Sequence, residues 1–139
     1  MAVFTGGCLC RAVCYRIEGD PVVAAHCHCG DCQKLTGTGH ATGAMFKEAS
    51  VEIVGKPATY RLTADSGAQV TRLFCATCGS PLFGKNDRMP GFMTVAVGTL
   101  DNPGAITPQM VLFVRNRPHW DVMDAALPAF ETQPEGRPE

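Results

Sequence analysis

The sequence predicts a mainly β fold of short antiparallel strands, stapled in part by bound metal. Its 139 residues are 45% hydrophobic and 18% charged, the profile of one globular domain. Segments with β character recur between turn sequences, and none keeps apolar residues at helical spacing for the roughly ten residues that a helix requires. Cysteines at spacings of two and three residues supply the candidate metal ligands.

The clearest strand lies at residues 12–18. Val13, Tyr15 and Ile17 alternate there with other side chains, which is the period of two expected of a half-buried strand. Further β segments are predicted at residues 22–26, 41–46, 51–54, 58–62, 70–74, 93–97 and 110–115. Turn sequences rich in Gly, Pro, Asp and Asn separate many of them. Short helical turns are predicted at residues 31–36 and 121–127.

One zinc-binding β domain is predicted over residues 1–130, followed by a mobile tail over residues 131–139 that has no apolar residue to anchor it. A net charge of −1 gives no basic footprint, so neither nucleic acid nor an anionic membrane is an expected partner. The longest apolar runs fall far short of the ~20 residues that a membrane span needs. The first residues lack the features of a secretory signal, which favours a cytoplasmic protein.

The eight cysteines carry the chemical signal. They are Cys8, Cys10, Cys14, Cys27, Cys29, Cys32, Cys75 and Cys78. In a reducing compartment, cysteines clustered at these spacings are more often metal ligands than disulfides. Residues two apart in an extended segment point the same way, so each Cys-x-Cys pair can present two sulfurs to one metal. Zinc is the metal expected for thiolate ligands.

Two arrangements of these ligands are open. In the first, two pairs combine into a closed structural site, and a cluster of three leaves a fourth position free, as in catalytic zinc. The closed set is Cys8, Cys10, Cys75 and Cys78, and the open set is Cys27, Cys29 and Cys32. In the second, Cys29 and Cys32 join the Cys75 pair in a site like that of a zinc ribbon. The first arrangement is favoured because it leaves fewer cysteines without a metal, and it predicts two zinc ions per chain.

A longer pattern surrounds the cysteines. Its segments are Gly6-Gly7-Cys8-Leu9-Cys10, Val13-Cys14-Tyr15, Cys27-His28-Cys29-Gly30-Asp31-Cys32-Gln33-Lys34-Leu35-Thr36-Gly37, Phe74-Cys75-Ala76-Thr77-Cys78-Gly79-Ser80-Pro81-Leu82, Gly98-Thr99-Leu100-Asp101 and Pro118-His119-Trp120. In this order and spacing they resemble the glutathione-dependent formaldehyde-activating enzyme family, also called the centromere protein V-like family. The resemblance covers about residues 5–130.

This resemblance implies a β-tent fold related to the Mss4-like zinc proteins. It also implies a structural zinc on the closed cysteine set and a second zinc on the open set. The implied activity is a carbon–sulfur lyase reaction that forms S-(hydroxymethyl)glutathione from glutathione and formaldehyde. The sequence departs from the family pattern at Arg11, where glycine is usual, at Cys14, where arginine is frequent, and at residues 108–112, which lack the usual histidine.

The expected reaction uses a thiol, glutathione or a relative, at the open set of cysteines, which are the candidate catalytic residues. The alternative is a non-enzymatic, zinc-stapled binding module in which both metals are structural, the second being completed by a histidine or a neighbouring chain. Cys14 is interpreted as an idle thiol, and Trp120 as part of the core or of a pocket wall. The histidines are interpreted as structural. Lys34 and Arg72 are cations that either hold an anionic ligand or face solvent.

Overall fold

The computed structural model describes residues 2–134. It contains ten strands and one α-helix in this order: β1 Val3–Gly7, β2 Cys14–Glu18, β3 Val23–Cys27, α1 Gly30–Thr36, β4 Ala41–Lys47, β5 Val51–Val54, β6 Ala58–Thr63, β7 Gln69–Phe74, β8 Pro81–Asn86, β9 Phe92–Ala96 and β10 Met110–Leu112. The predicted mainly β class is confirmed.

The strands form two sheets. A three-stranded sheet has the order β1-β2-β5, and a seven-stranded sheet has the order β10-β3-β4-β9-β8-β7-β6. Neighbouring strands are antiparallel except β10, which runs parallel to β3 with Leu112 opposite Cys27. Because β3 and β7 belong to the same sheet, that sheet positions both Cys27 at the end of β3 and Cys75 just after β7.

Two strands were absent from the sequence prediction. Strand β1 is short and ends in Gly6 and Gly7, and β8 begins with Pro81 and contains Gly84. Glycine and proline are depleted in strands, so both segments have weak β signals of their own. Strand β1 is fixed by pairing with β2, where Gly6 lies opposite Tyr15.

The two predicted helical turns had different outcomes. Residues 31–36 lie within α1, which ends at Gly37 in the left-handed conformation. Residues 121–127 form bends and turns, so that prediction was wrong. The Asp124 side chain accepts a hydrogen bond from the Ala126 backbone N–H at 2.9 Å, an alternative to helical pairing.

The core lies between the two sheets. Ile17 of the small sheet and Phe46, Leu82 and Val95 of the large one are fully buried in a single cluster. Tyr15 crosses between the sheets, and its ring meets that of Phe83 edge-on at 5.2 Å. Burial raises the pKa of the Tyr15 hydroxyl to about 12. Cys8 and Cys75, two of the candidate metal ligands, belong to the same cluster. The closed cysteine set is therefore partly embedded in the core.

The C-terminal segment packs back onto β10. The backbone N–H of Phe113 donates to the carbonyl of Thr132 at 3.1 Å, and that of Val114 donates to the carbonyl of Phe130 at 3.0 Å. The last residues of the predicted tail, 135–139, lie outside the described residues. Trp120 is 60% exposed and is therefore not part of the core, the first of the two places expected for it. It also does not line the large cavity described below. Within residues 2–134, the helices are all too short or too polar for a bilayer crossing.

Candidate metal centres

The first cysteine group joins the two sheets. Cys8 and Cys10 follow β1, whereas Cys75 and Cys78 follow β7. The Sγ atom of Cys10 lies 3.7 Å from that of Cys8 and 3.7 Å from that of Cys75. All four sulfurs lie within 4.8 Å of one another.

These distances fit zinc. Four sulfurs at ~2.3 Å from a tetrahedral zinc ion stand about 3.8 Å apart. The Cys75 turn is compatible with such a centre, because the backbone N–H groups of Thr77 and Cys78 both donate to the Cys75 sulfur at 3.4 Å. The Ser80 side chain and backbone hydrogen-bond to the Cys78 sulfur and hold the pKa of that thiol at about 5. Such a low pKa favours the thiolate that binds metal.

The turn between Cys8 and Cys14 explains one departure from the family pattern. Arg11 has φ of 64°, a left-handed conformation that suits the family's usual glycine. Its guanidinium forms an ion pair with Asp101 at 3.1 Å, and its backbone N–H donates to the Cys8 carbonyl at 3.1 Å. These contacts hold Arg11 in this conformation. Cys14 lies outside both cysteine groups, with its sulfur 3.4 Å from the Arg11 carbonyl.

The second cysteine group lies where β3 meets α1. Cys27 ends the strand, Cys29 caps the helix, and Cys32 lies in its first turn. The Cys32 backbone N–H donates to the Cys29 sulfur at 3.3 Å. The three sulfurs lie within 4.8 Å of one another. The hydrogen bond from Cys32 to the Cys29 sulfur caps the N-terminus of α1.

The thiols of this second group compete for one negative charge. Hydrogen bonds from Cys27 and Cys32 hold the pKa of Cys29 at about 2. The interaction with Cys29 in turn raises the pKa of Cys27 to about 12, and Cys27 and Cys29 raise that of Cys32. A bound cation would stabilise all three as thiolates. A soft divalent ion such as zinc fits this donor set.

Contacts with the C-terminal segment hold this loop in place. The Gln33 side-chain amide donates to the carbonyl of His28 at 2.9 Å and to that of Asn116 at 3.0 Å. The Thr36 hydroxyl contacts the carbonyls of Cys32 and His40 at 2.9 and 3.0 Å. The loop that carries the cysteines is thus anchored to Asn116, a residue distant in sequence.

A histidine cluster adjoins the loop. His28 is fully buried, and its Nδ1 lies 2.7 Å from the Gly39 carbonyl and 3.3 Å from an Asp121 carboxylate oxygen. His40 Nδ1 lies 2.7 Å from the same oxygen. These residues form a third group with metal-ligand side chains, but the 2.7 Å contacts are hydrogen-bond lengths. Asp121 was missed by the sequence analysis because it lies 81 residues from His40, and no motif links them.

A cavity of about 980 Å³ opens beside the second cysteine group. Cys27 and Cys32 line it together with His40, and the cations Lys34, Arg72 and Lys85 also reach it. Most of the remaining wall is apolar. A large apolar cleft with a few converging polar groups is the usual form of a small-molecule site.

The structure brings together the sulfurs of Cys75 and Cys78 with those of Cys8 and Cys10, whereas Cys27, Cys29 and Cys32 form a separate group. This is the first of the two arrangements considered from the sequence, and the ribbon-like grouping is not present among residues 2–134. The roles of these residues as metal ligands stay predictions.

Comparison with known proteins supports the expected family. The sequence pattern of the glutathione-dependent formaldehyde-activating enzyme family matches residues 3–116. A crystal structure of a Rhodobacter sphaeroides protein, a structural-genomics target, is similar with a TM-score of 0.57 and 22% sequence identity. The match covers 75% of this chain and 91% of that one, and it shows a shared fold. No curated protein sequence matches this chain.

Proposed function

This chain belongs to the glutathione-dependent formaldehyde-activating enzyme family, and we propose that it is a zinc-dependent carbon–sulfur lyase acting on a thiol and a small electrophile. The expected substrates are glutathione or a relative, and formaldehyde. The observation that carries the proposal is the position of Cys27 and Cys32 on the wall of a large cavity. A reducing compartment such as the cytoplasm suits it, because the cysteines must remain thiols.

The two cysteine groups have different proposed roles. The group of Cys8, Cys10, Cys75 and Cys78 offers four sulfurs and would hold a structural zinc. The group of Cys27, Cys29 and Cys32 offers three and would hold a second zinc. When bound there, that zinc would leave one coordination position for a thiol substrate and would favour the thiolate form of that substrate.

The chain's own residues would handle the proton. In the forward reaction a sulfur–carbon bond forms, the carbonyl π bond breaks, and the proton lost by the thiol is gained by the new hydroxyl oxygen. His40 lines the cavity, and its Nδ1 is held by Asp121 at 2.7 Å. This contact leaves Nε2 as the ring nitrogen that can exchange a proton with a ligand. Asp121 orients the ring, since its carboxylate is mostly buried.

The proposal is tested by comparing glutathione with S-methylglutathione, which has no free thiol. Zinc-loaded protein should carry close to two zinc ions per chain by elemental analysis. In calorimetry, this protein should bind glutathione far more tightly than S-methylglutathione. It should accelerate formaldehyde consumption only when glutathione is present. Equal binding of the two compounds would contradict a thiol site. Glutathione binding without turnover would support the non-enzymatic binding module.

Replacing His40 by glutamine should lower kcat/KM for the thiol and aldehyde by roughly 10²–10⁴-fold, the usual contribution of a general acid or base. The zinc content should not change, because His40 lies outside both cysteine groups. His119→Gln is the matched control, since His119 is exposed and does not line the cavity. Steady-state kinetics in which both variants retain full activity would remove His40 from the mechanism.

A further inference from the structure

We propose that Arg72 is the residue that binds a carboxylate group of the thiol substrate. The inference rests on the proposed function, because it assigns a specificity-determining residue to the same site. It adds a specificity-determining residue on β7, which lies apart in sequence from the cysteine loop.

Arg72 occupies a place in the sheet that leaves room for its side chain. It lies opposite Gly84 of β8 and opposite Tyr60 of β6. A Cβ atom at position 84 would stand 2.9 Å from the Arg72 Nη1 atom. The guanidinium therefore lies against the bare backbone of Gly84, in space that any other residue would fill. From there the side chain lines the same cavity as Cys27 and Cys32.

The guanidinium has no carboxylate partner in the part of the chain that the structure describes: none of the ion pairs found across residues 2–134 includes Arg72. Its neighbour on the cavity wall, Lys85, is paired with Glu48 at 2.7 Å. Arg72 is also partly buried. A cation removed from water without a partner costs free energy, which an anionic ligand would offset.

Lys34, the remaining cation on the cavity wall, fits this role less well. It projects from α1 and is exposed, so water screens its charge. A guanidinium presents a planar pair of N–H donors that match the two oxygens of a carboxylate, whereas an ammonium group acts as a point charge. Arg72 is therefore the residue on this wall best suited to a carboxylate.

Arg72 also faces the same cavity as the thiol site, because Cys27, Cys32 and Arg72 all line it. A thiol whose sulfur meets the cysteine loop can therefore direct a carboxylate through this cavity toward Arg72.

A matched pair of ligands tests this inference. 3-Mercaptopropionate and 3-mercaptopropanamide differ by one charge and share the same thiol. Calorimetry on zinc-loaded protein should show the acid binding roughly ten- to a hundredfold more tightly, the range for hydrogen bonds between charged groups. Arg72→Met should abolish this preference without weakening the amide, and Arg72→Lys should retain part of it. Arg61→Met is the matched control, since Arg61 lies on the adjacent strand, exposed and outside the cavity wall.

Gly84→Ala provides a second variant that keeps the charge of Arg72. The added methyl would meet the far end of the Arg72 side chain at 2.9 Å, so the flexible guanidinium must move while the fold is retained. This variant should weaken binding of the acid and leave the amide unchanged. Circular dichroism and binding of the amide establish that each variant is folded.

The outcomes separate this inference from the proposed function. Equal binding of the acid and amide to the native protein would overturn the role of Arg72 and leave the thiol site standing. The S-methyl derivatives of both ligands complete the test. If the S-methyl acid binds as tightly as the thiol acid and loses affinity in Arg72→Met, the thiol site is contradicted and the carboxylate site is supported. Absence of acid binding in either form would contradict both.

Discussion

Replacing Cys75 by alanine should leave little soluble, folded protein. Cys75 is 1% exposed and lies in the core cluster. Its sulfur meets that of Cys10, which is 65 residues away in sequence. A zinc ion on this group would close a long loop and tie β1 of the small sheet to β7 of the large sheet. Structural zinc sites contribute roughly 10–16 kcal/mol at neutral pH, comparable with the ~5–15 kcal/mol net stability of a domain.

The measurement is the yield of soluble protein, its circular dichroism spectrum and its zinc content. Cys14→Ala is the control, because Cys14 belongs to neither cysteine group. This substitution removes the same side-chain atoms as Cys75→Ala. This control should fold and bind zinc like the native protein. If Cys75→Ala folds with native zinc content, the first group is not a structural metal centre.

The parts of the site encoded locally were predictable from the sequence. Cys27, Cys29 and Cys32 lie within one turn-and-helix segment, so their spacing alone brings the three sulfurs together. The grouping of Cys75 with Cys8 is long-range, and the sequence favoured it over the ribbon-like grouping only because it leaves fewer cysteines without a metal. Strand β2 was predictable because its alternating side chains face a core on one side only.

The parts that depend on distant packing were not predictable. Strand β8 contains Pro81 and Gly84, and its register comes from β7 and β9 on either side. Asp121 reaches His40 because β10, lying parallel to β3, carries the C-terminal segment back to the cysteine loop. Arg72 could be named as a candidate anion ligand from its charge. Only the fold shows that it shares a cavity with Cys27.

Cys32→Ala should have the opposite effect to Cys75→Ala. Cys27, Cys29 and Cys32 lie close in sequence, so a zinc ion on them closes almost no loop and contributes little to cross-linking of the fold. Cys32 lies outside the main core cluster, and the cap that its backbone N–H forms with the Cys29 sulfur does not need the Cys32 side chain. The helix should therefore survive the substitution.

The Cys32→Ala protein should be soluble, with a native-like circular dichroism spectrum and about one zinc ion fewer per chain. Thiol-dependent formaldehyde consumption should fall to the rate in buffer, because two thiolates hold zinc less firmly than three. Cys14→Ala again serves as the control and should retain both zinc and activity. If Cys32→Ala unfolds while Cys75→Ala stays folded and loaded with metal, the structural and catalytic roles of the two groups must be exchanged. That reversal would place the stabilising metal beside the cavity, where β3 meets α1.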